Sequence, residues 1–392
     1  MIKKRLLAVQ GPLQFVAGYI AMDWFGKARA TAEGYDNVLL MYDFLMPEEL
    51  EPEFVAVITR LAQVAGWHAV KFIGAARMRQ LMAGSYAGSV AALRAELGVP
   101  EFDQIFMARD FCGAGSALIG NAYSSAHKVA YGDSLGLVAD RTQFGNHDPK
   151  APLRSVLSAC KQLARRALFG GPRPFAFDTA VLSLPLDLSH GELAGVALMV
   201  PSRQHVRDTV GAIGAVLDEL QDYSRSLLAP AGAAVCQLFL LSNLSASGLM
   251  SEENEIALYT DIIGSVSGRG DLLFLKVHPR SSRRVLDAVV SRIGVANQVS
   301  IIDDAKLARL PVELWSDLIA ASNVVAIFST GALNIKYIHD KDVVLPLTTA
   351  LIERYVYPDK VAYIAGVHGM IGDAVAALGD WDGQSILWKK YS

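Results

Sequence analysis

The stretch LLFLKVHPRSS, which runs from Leu272 to Ser282, joins an apolar run to a group of polar side chains. Its first four residues predict a buried β-strand, because a short unbroken apolar run is typical of a strand covered on both faces. The residues that follow can bind an anion, donate a proton or fix a turn: Lys276, His278, Pro279 and Arg280. Ligands bind beyond the carboxyl ends of strands in an open parallel α/β sheet, so we predict an anion site around His278. An ordinary turn at a strand end is the alternative interpretation.

Short apolar runs of the same kind alternate with stretches of helical periodicity along the chain, which predict helices over Glu53–Ala65 and Ala305–Ala321 among others. The predicted strands are Arg5–Val9, Asn37–Met41, Ala69–Phe72, Gln104–Met107, Lys128–Tyr131, Val235–Leu241, Leu272–Leu275, Val299–Ile302, Val324–Phe328 and Val343–Leu345. This alternation favours parallel sheets with helices on both faces. Pro230 and Gly232 follow a long helical stretch, Arg207–Leu228, and predict a border between two domains, 1–229 and 230–392. The predicted fold class is α/β, with two Rossmann-like domains that face each other across a cleft.

Composition narrows the class of protein. The chain of 392 residues is 52% hydrophobic and 19% charged, which is typical of a well-buried globular protein. A net charge of −3 gives no general attraction to nucleic acid, and three widely spaced cysteines suit a reducing cytoplasm. No uncharged apolar run reaches the length of a membrane span, and the N-terminus is interpreted as a first strand. We therefore expect a cytoplasmic protein whose apolar surplus leaves room for peripheral contact with the inner face of the cytoplasmic membrane.

Three further segments carry polar groups where a site can form. Ser329 and Thr330 lie between a predicted strand and a helix, where hydroxyl and backbone N–H groups can bind a phosphate or cap the helix. Glu313 lies in the first turn of a predicted helix, where it can stabilise the helix or accept hydrogen bonds from a ribose. Asp133 follows a short strand between glycines, and its carboxylate can remove a proton from a hydroxyl group or simply form a turn.

The segment Pro152–Phe169 is predicted to form an amphipathic helix with a basic stripe. The stripe consists of Arg154, Lys161 and Arg165. It is either a solvated helix face or a contact surface for anionic lipid or an anionic glycan.

Taken in order, these segments resemble the bacterial capsule polysialyltransferases and the related lipooligosaccharide sialyltransferases. The resemblance rests on Gly11-Pro12-Leu13-Gln14, Leu249–Tyr259, the His-Pro pair in Lys276–Arg280, Pro311-Val312-Glu313 and Ser329-Thr330-Gly331. It implies two Rossmann-like domains of the GT-B type, with Gly11 and Gln14 on the acceptor side. It also implies inverting, metal-independent transfer of a nonulosonic acid from a CMP-activated donor to a glycan, with no cofactor. In agreement, we find no Asp-x-Asp motif after a strand of the kind that holds a metal with a nucleotide diphosphate.

The resemblance also suggests roles for single residues. His278 would protonate the departing phosphate, and Ser329 and Thr330 would bind it. The family carries two acidic residues and a glycine where this chain has Gly132-Asp133-Ser134, so one carboxylate remains and Asp133 is the predicted base. In the lipooligosaccharide branch the base lies nearer the His-Pro pair, which makes Glu253 or Glu255 the alternative.

Three other functions fit the same segments. A related transferase would use another CMP-sugar, such as the Kdo donor. A nucleotide-sugar 2-epimerase would share the two-domain architecture but act on a UDP-sugar without an acceptor. A nucleotide- or glycan-binding protein would keep the fold without a catalytic base.

Overall fold

The computed structural model describes residues 3–28, 34–42, 48–108, 114–132, 176–186, 196–232, 234–278, 281–304, 306–379, 381, 383–384 and 386–388. They form two compact units, one of Met1–Thr209 with Gln384–Ser392 and the other of Val210–Gly383. The border therefore precedes the expected one at residue 230, because the helical segment just before that position packs with the second unit. The predicted helix Pro152–Phe169, with its basic stripe, lies outside the described residues.

The first unit is built on an eight-stranded sheet. Its strands are β1 (Lys3–Val9), β2 (Tyr35–Tyr42), β3 (Ala69–Ile73), β4 (Gln104–Ala108), β5 (His127–Gly132), β6 (Thr179–Leu182), β7 (Ala197–Val200) and β13 (Ile386–Trp388). The strand order is β13-β7-β6-β5-β4-β1-β2-β3, and β13 alone among these strands pairs antiparallel. Its helices are α1 (Pro12–Ala28), α2 (Glu51–Leu61), α3 (Ala75–Leu81), α4 (Tyr86–Leu97) and α5 (Ala114–Ala122). α6 (Arg203–Ala215) begins in this unit and crosses the border.

The centre of this sheet is buried on both faces. Leu6, Leu7, Ala8 and Val9 of β1 are completely buried. A central parallel strand needs such an unbroken apolar run because helices cover both faces of the sheet.

The second unit is built on a five-stranded parallel sheet with the strand order β10-β9-β8-β11-β12. Its strands are β8 (Cys236–Leu240), β9 (Leu272–Lys276), β10 (Gln298–Ile302), β11 (Asn323–Ala326) and β12 (Val343–Val344). Its further helices are α7 (Asp218–Leu228), α8 (Glu252–Val266), α9 (Arg283–Ile293), α10 (Ser316–Ala321), α11 (Gly331–His339), α12 (Thr349–Tyr355) and α13 (Val361–Gly379). All five residues of β9 are buried, as the apolar run Leu272–Leu275 predicts.

The predicted fold class is confirmed: both units are α/β and Rossmann-like, and each of the ten predicted strands is present. The predicted helix Arg207–Leu228 is broken at Leu217, which is buried and leaves the helical conformation with φ −118° and ψ 63°. A helix predicted over Ala305–Ala321 is wrong. That segment contains turns, a short 3-10 helix at Val312–Leu314 and α10.

One helix among the described residues, Pro358–Gly379, is long and apolar enough to cross a membrane. It includes α13, which packs against α11 and α12. Since a core helix meets the same criteria of length and composition, this helix is weak evidence of a membrane span.

Candidate functional site

Three neighbouring strands of the second unit end side by side. Lys276 at the end of β9 pairs with Leu240 at the end of β8, and Leu240 pairs with Ala326 at the end of β11. The pairing continues for one residue, because Leu241 N donates to the Lys276 carbonyl and Ile327 N to the Leu240 carbonyl, both at 3.0 Å. The loops that follow these strands therefore begin at one edge of the sheet, where parallel α/β sheets bind ligands.

His278 lies in the loop after β9, two residues beyond the end of the strand. It is partly exposed, and its carbonyl accepts a hydrogen bond from Ser281 N at 2.9 Å, which closes the turn that leads into α9. Pro279 and Arg280, predicted as donor-binding residues, lie outside the described residues. The structure thus places the imidazole of His278 at the carboxyl edge, as the strand-end argument predicts.

Ser329 and Thr330 occupy the corresponding position after β11. Ser329 Oγ accepts a hydrogen bond from Gly331 N at 3.3 Å, and Thr330 is exposed at the start of α11. A Cβ atom on Gly331 would lie 3.0 Å from Val312 Cγ1, so the chain makes a close approach at this turn. A serine hydroxyl that accepts a helix N–H retains its own proton as a donor, and the pair can therefore bind an anion at the helix start.

Lys276 and Glu313 lie beneath this edge rather than on it. Lys276 is 9% exposed, donates from Nζ to the Ala308 carbonyl, and has Nζ 5.9 Å from the centroid of the Trp315 ring. Glu313 is 3% exposed, with Oε1 3.4 Å from Asn334 Nδ2. In this arrangement Lys276 holds the segment after β10 against the end of β9, and Glu313 holds it against α11. Their predicted contacts with the donor phosphate and ribose remain predictions.

Burial lowers the pKa of Lys276 from 10.5 to about 8, against the opposing effect of the Glu313 charge. Between these two pH values the unfolded chain holds a proton that the folded chain has released, so this lysine adds stability as pH rises. We expect the native protein to gain about 3 kcal/mol of unfolding free energy relative to Lys276→Met between pH 8 and pH 10.5. Urea unfolding across that range measures it.

The matched control is Lys341→Met, since Lys341 Nζ also donates to a backbone carbonyl, that of Ala320 at 3.1 Å, but from an exposed position. It measures what the loss of a hydrogen bond from a lysine to a backbone carbonyl costs outside the core. A flat curve for Lys276→Met would show that burial does not lower the pKa of Lys276.

The two alternative bases have other contacts. Glu255 is 3% exposed, and its carboxylate accepts hydrogen bonds from Leu244 N and Ser245 N, each at 3.0 Å. Glu253 is exposed and lies 3.0 Å from Arg284 Nη2. The hydrogen bond from its own backbone N–H, together with Arg284, lowers the pKa of Glu253 and makes it a poorer proton acceptor. These environments favour neither residue as a base.

The residues predicted in the first unit are only partly described. Gln14 Oε1 accepts a hydrogen bond from Gln10 N at 2.7 Å, and the Gly11 carbonyl accepts one from Phe15 N at 3.0 Å, so both residues shape the start of α1. β5 ends at Gly132, immediately before Asp133 in the sequence. The other predicted residues of this unit lie outside the described residues: Asp133, Arg154, Lys161 and Arg165.

Sequence reasoning missed the loop after β8, the strand that lies between β9 and β11 in the sheet. Ser242 Oγ donates to the Phe328 carbonyl at 2.5 Å, so this loop directly contacts the residue before Ser329. The signal was present, because Ser242 and Asn243 follow an apolar strand in the same pattern that singled out His278.

Residues 221–346 match the sequence model of the alpha-2,8-polysialyltransferase family. This segment belongs to that family. It contains His278, Glu313 and Ser329, and it confirms over its length the resemblance to the bacterial polysialyltransferases. The match supports a glycosyltransferase, an enzyme that transfers a sugar from an activated donor to an acceptor. A search of the curated proteins found no match.

Several solved structures are similar to most of this chain at low sequence identity. A putative UDP-N-acetylglucosamine 2-epimerase from Listeria monocytogenes has 10% identity and a TM-score of 0.47, with 99% of this chain and 100% of that one covered. A sialyltransferase from Photobacterium damsela has 8% identity and a TM-score of 0.39, with 94% and 80% covered. A heptosyltransferase from E. coli has 11% identity and a TM-score of 0.36, with 94% and 99% covered.

Proposed function

We propose that this protein transfers a nonulosonic acid of the sialic acid type from a CMP-activated donor to a glycan acceptor in the synthesis of a bacterial surface polysaccharide or glycoconjugate. One observation carries the proposal. Within the family-matched segment, His278 lies in the loop after β9, and the Ser329-Thr330 pair lies in the loop after β11. These two strands flank β8, so both loops begin at the same edge of the sheet. That edge combines an imidazole, two hydroxyl groups and a helix N-terminus, which suit the phosphate of a leaving nucleotide.

The proposed reaction inverts the anomeric carbon in a single displacement. Asp133 takes the proton of the acceptor hydroxyl, and the acceptor oxygen forms a bond to the anomeric carbon through an oxocarbenium-like transition state. The bond from that carbon to the phosphate oxygen breaks, and its electron pair leaves with CMP. His278 donates a proton to the departing phosphate, while Ser329 and Thr330 hold it by hydrogen bonds.

Metal independence is part of the proposal. CMP leaves as a monophosphate, whose charge hydroxyl groups, a helix N-terminus and a protonated imidazole can stabilise together. Transfer should therefore persist in excess EDTA, and a loss of turnover restored by Mg²⁺ would contradict this part.

Nucleotide preference provides a direct test of the donor class. CMP should raise the unfolding midpoint more than CDP, UMP or UDP, because only a ligand that binds the folded state stabilises it. At a hundredfold excess over its Kd, CMP should add about 2.7 kcal/mol to the unfolding free energy. Stabilisation by UDP and not by CMP would contradict the CMP-donor proposal and favour an epimerase. CMP release that requires both donor and acceptor distinguishes the transferase from a binding protein.

The acceptor and membrane contacts complete the proposal. We assign the basic stripe of Arg154, Lys161 and Arg165 to an anionic glycan or lipid, and we place the enzyme in the cytoplasm, at the inner face of the membrane. Cosedimentation with anionic vesicles at low and high salt tests the lipid contact, since such binding weakens as salt rises. Binding that salt does not change would contradict an electrostatic role for the stripe.

A further inference from the structure

A chain of hydrogen bonds joins helix α8 to the residue immediately before Ser329. The Tyr259 hydroxyl on α8 lies 2.6 Å from the Ser242 carbonyl oxygen and donates to it. Ser242 Oγ in turn donates to the Phe328 carbonyl oxygen at 2.5 Å. Two hydrogen bonds thus connect the buried face of α8, the loop after β8 and the loop after β11.

Phe328 is the point where the chain turns into the Ser329-Thr330 pair. Its φ of +56° is left-handed, and Asp340 is the one other non-glycine residue with positive φ among the described residues. This conformation is sterically unfavourable for a bulky L-residue, so contacts around Phe328 must hold its backbone there. The bond from Ser242 to the Phe328 carbonyl is such a contact, and it acts on the peptide that sets the direction of Ser329.

At its α8 end, the chain of hydrogen bonds is anchored in the protein core. Tyr259 is 1% exposed, and its hydroxyl lies 2.8 Å from Glu255 Oε1 as well as near Ser242. Glu255 also accepts the Leu244 and Ser245 backbone N–H groups, so it fixes the loop just beyond Ser242. Burial raises the pKa of Tyr259 well above its ordinary value, so the hydroxyl keeps its proton and remains a donor.

We propose that Ser242 and Tyr259 are positioning residues for the phosphate of the bound nucleotide. They hold the backbone at Phe328 so that Ser329 and Thr330 point to the phosphate at the start of α11. This inference deepens the proposed function, because it takes the ligand of that edge to be a nucleotide phosphate. Neither residue needs to touch the ligand.

Hydrogen exchange of the ligand-free protein tests the holding role. Ser242→Ala and Tyr259→Phe should each lower the protection of the backbone amides of Ile327–Leu333. Ser265→Ala is the matched control, because Ser265 Oγ donates to the Ile262 carbonyl at 2.8 Å near the other end of α8. It should leave that segment unchanged. Unchanged protection in both Ser242→Ala and Tyr259→Phe would overturn the proposal, whether or not any nucleotide binds.

A double-mutant cycle tests the connection to phosphate binding. Ser242→Ala should weaken CMP binding about fivefold, in line with the loss of one hydrogen bond. In a Ser329→Ala background the same change should have a clearly smaller effect, because one of the two hydroxyl groups that it positions has been removed. Equal effects in both backgrounds would overturn the proposal.

The two proposals fail in different ways. If CMP binds and the effects of Ser242→Ala and Ser329→Ala are independent, the CMP-donor proposal stands and the positioning proposal is overturned. Binding of UMP in place of CMP, with the same coupling between the two variants, would overturn the CMP donor and support the positioning role.

Discussion

Replacement of His278 by alanine is expected to lower the rate of transfer by about 10²–10⁴-fold, while CMP binding weakens only modestly. The imidazole lies at the carboxyl edge of the sheet, two residues beyond β9, and the proposed reaction uses it to protonate the departing phosphate. Loss of a proton donor acts in the transition state, so kcat and kcat/KM should fall together. Initial rates of CMP release and CMP titration measure the two effects separately.

A second replacement separates proton donation from simple hydrogen bonding. His278→Asn keeps a hydrogen-bond donor but cannot donate a proton in this way, so it should be as impaired as His278→Ala. His68→Ala is the control, because His68 is an exposed histidine of the first unit, with Nδ1 3.9 Å from Asp36. Near-normal turnover of His278→Ala would show that the residue only forms the turn, and near-normal turnover of His278→Asn would limit it to binding phosphate.

Ten strands of this fold were predictable from the sequence because their apolar runs are short and uninterrupted. The missed strands were β6, β7 and β13. β6 and β7 have four residues each, and β13 pairs with β7 across almost 190 positions of sequence, from Ile386 to Val200. No local pattern encodes a partner at that distance, so only the folded chain identifies β13.

The segment before α10 shows how tertiary contacts override helical periodicity. The apolar spacing over residues 305–321 fits a helix, but Pro311 has no backbone N–H and begins only the 3-10 helix at Val312–Leu314. The Ala308 carbonyl, which a helix would pair internally, accepts a hydrogen bond from Lys276 instead. The lysine that the sequence suggests as an anion ligand is thus used in the structure to hold this turn.

The strand-end rule located the edge of the candidate site but not the direction of every side chain on it. His278 and Ser329 are partly exposed there, whereas Lys276 and Glu313 are buried beside Trp315 and Asn334. Whether a polar residue faces solvent or the interior depends on which distant side chains pack beside it. A local pattern contains no such information, and the same limit hid the contact from Ser242 to Phe328.

Replacement of Asp133 by asparagine is expected to lower turnover by at least about 10²-fold with little change in CMP affinity. The change keeps the shape of the side chain and removes the proton acceptor, so it should affect activation of the acceptor and leave donor binding intact. Asp133 itself lies outside the described residues, but it directly follows β5, whose carboxyl end is the kind of position where α/β sheets carry their sites. Turnover and CMP titration of the variant test this expectation.

The structure sharpens the choice among the three carboxylates. Glu255 is buried with two backbone N–H donors, and Glu253 is paired with Arg284, so neither has an environment that suits proton abstraction. Glu253→Gln should therefore retain most of its turnover, and Glu255→Gln should act mainly on stability, because an amide cannot accept all the hydrogen bonds that the carboxylate accepts. A larger loss of turnover in a stably folded Glu253→Gln or Glu255→Gln than in Asp133→Asn would move the base to the second unit. Full activity of all three variants would rule out general-base catalysis by any of these residues.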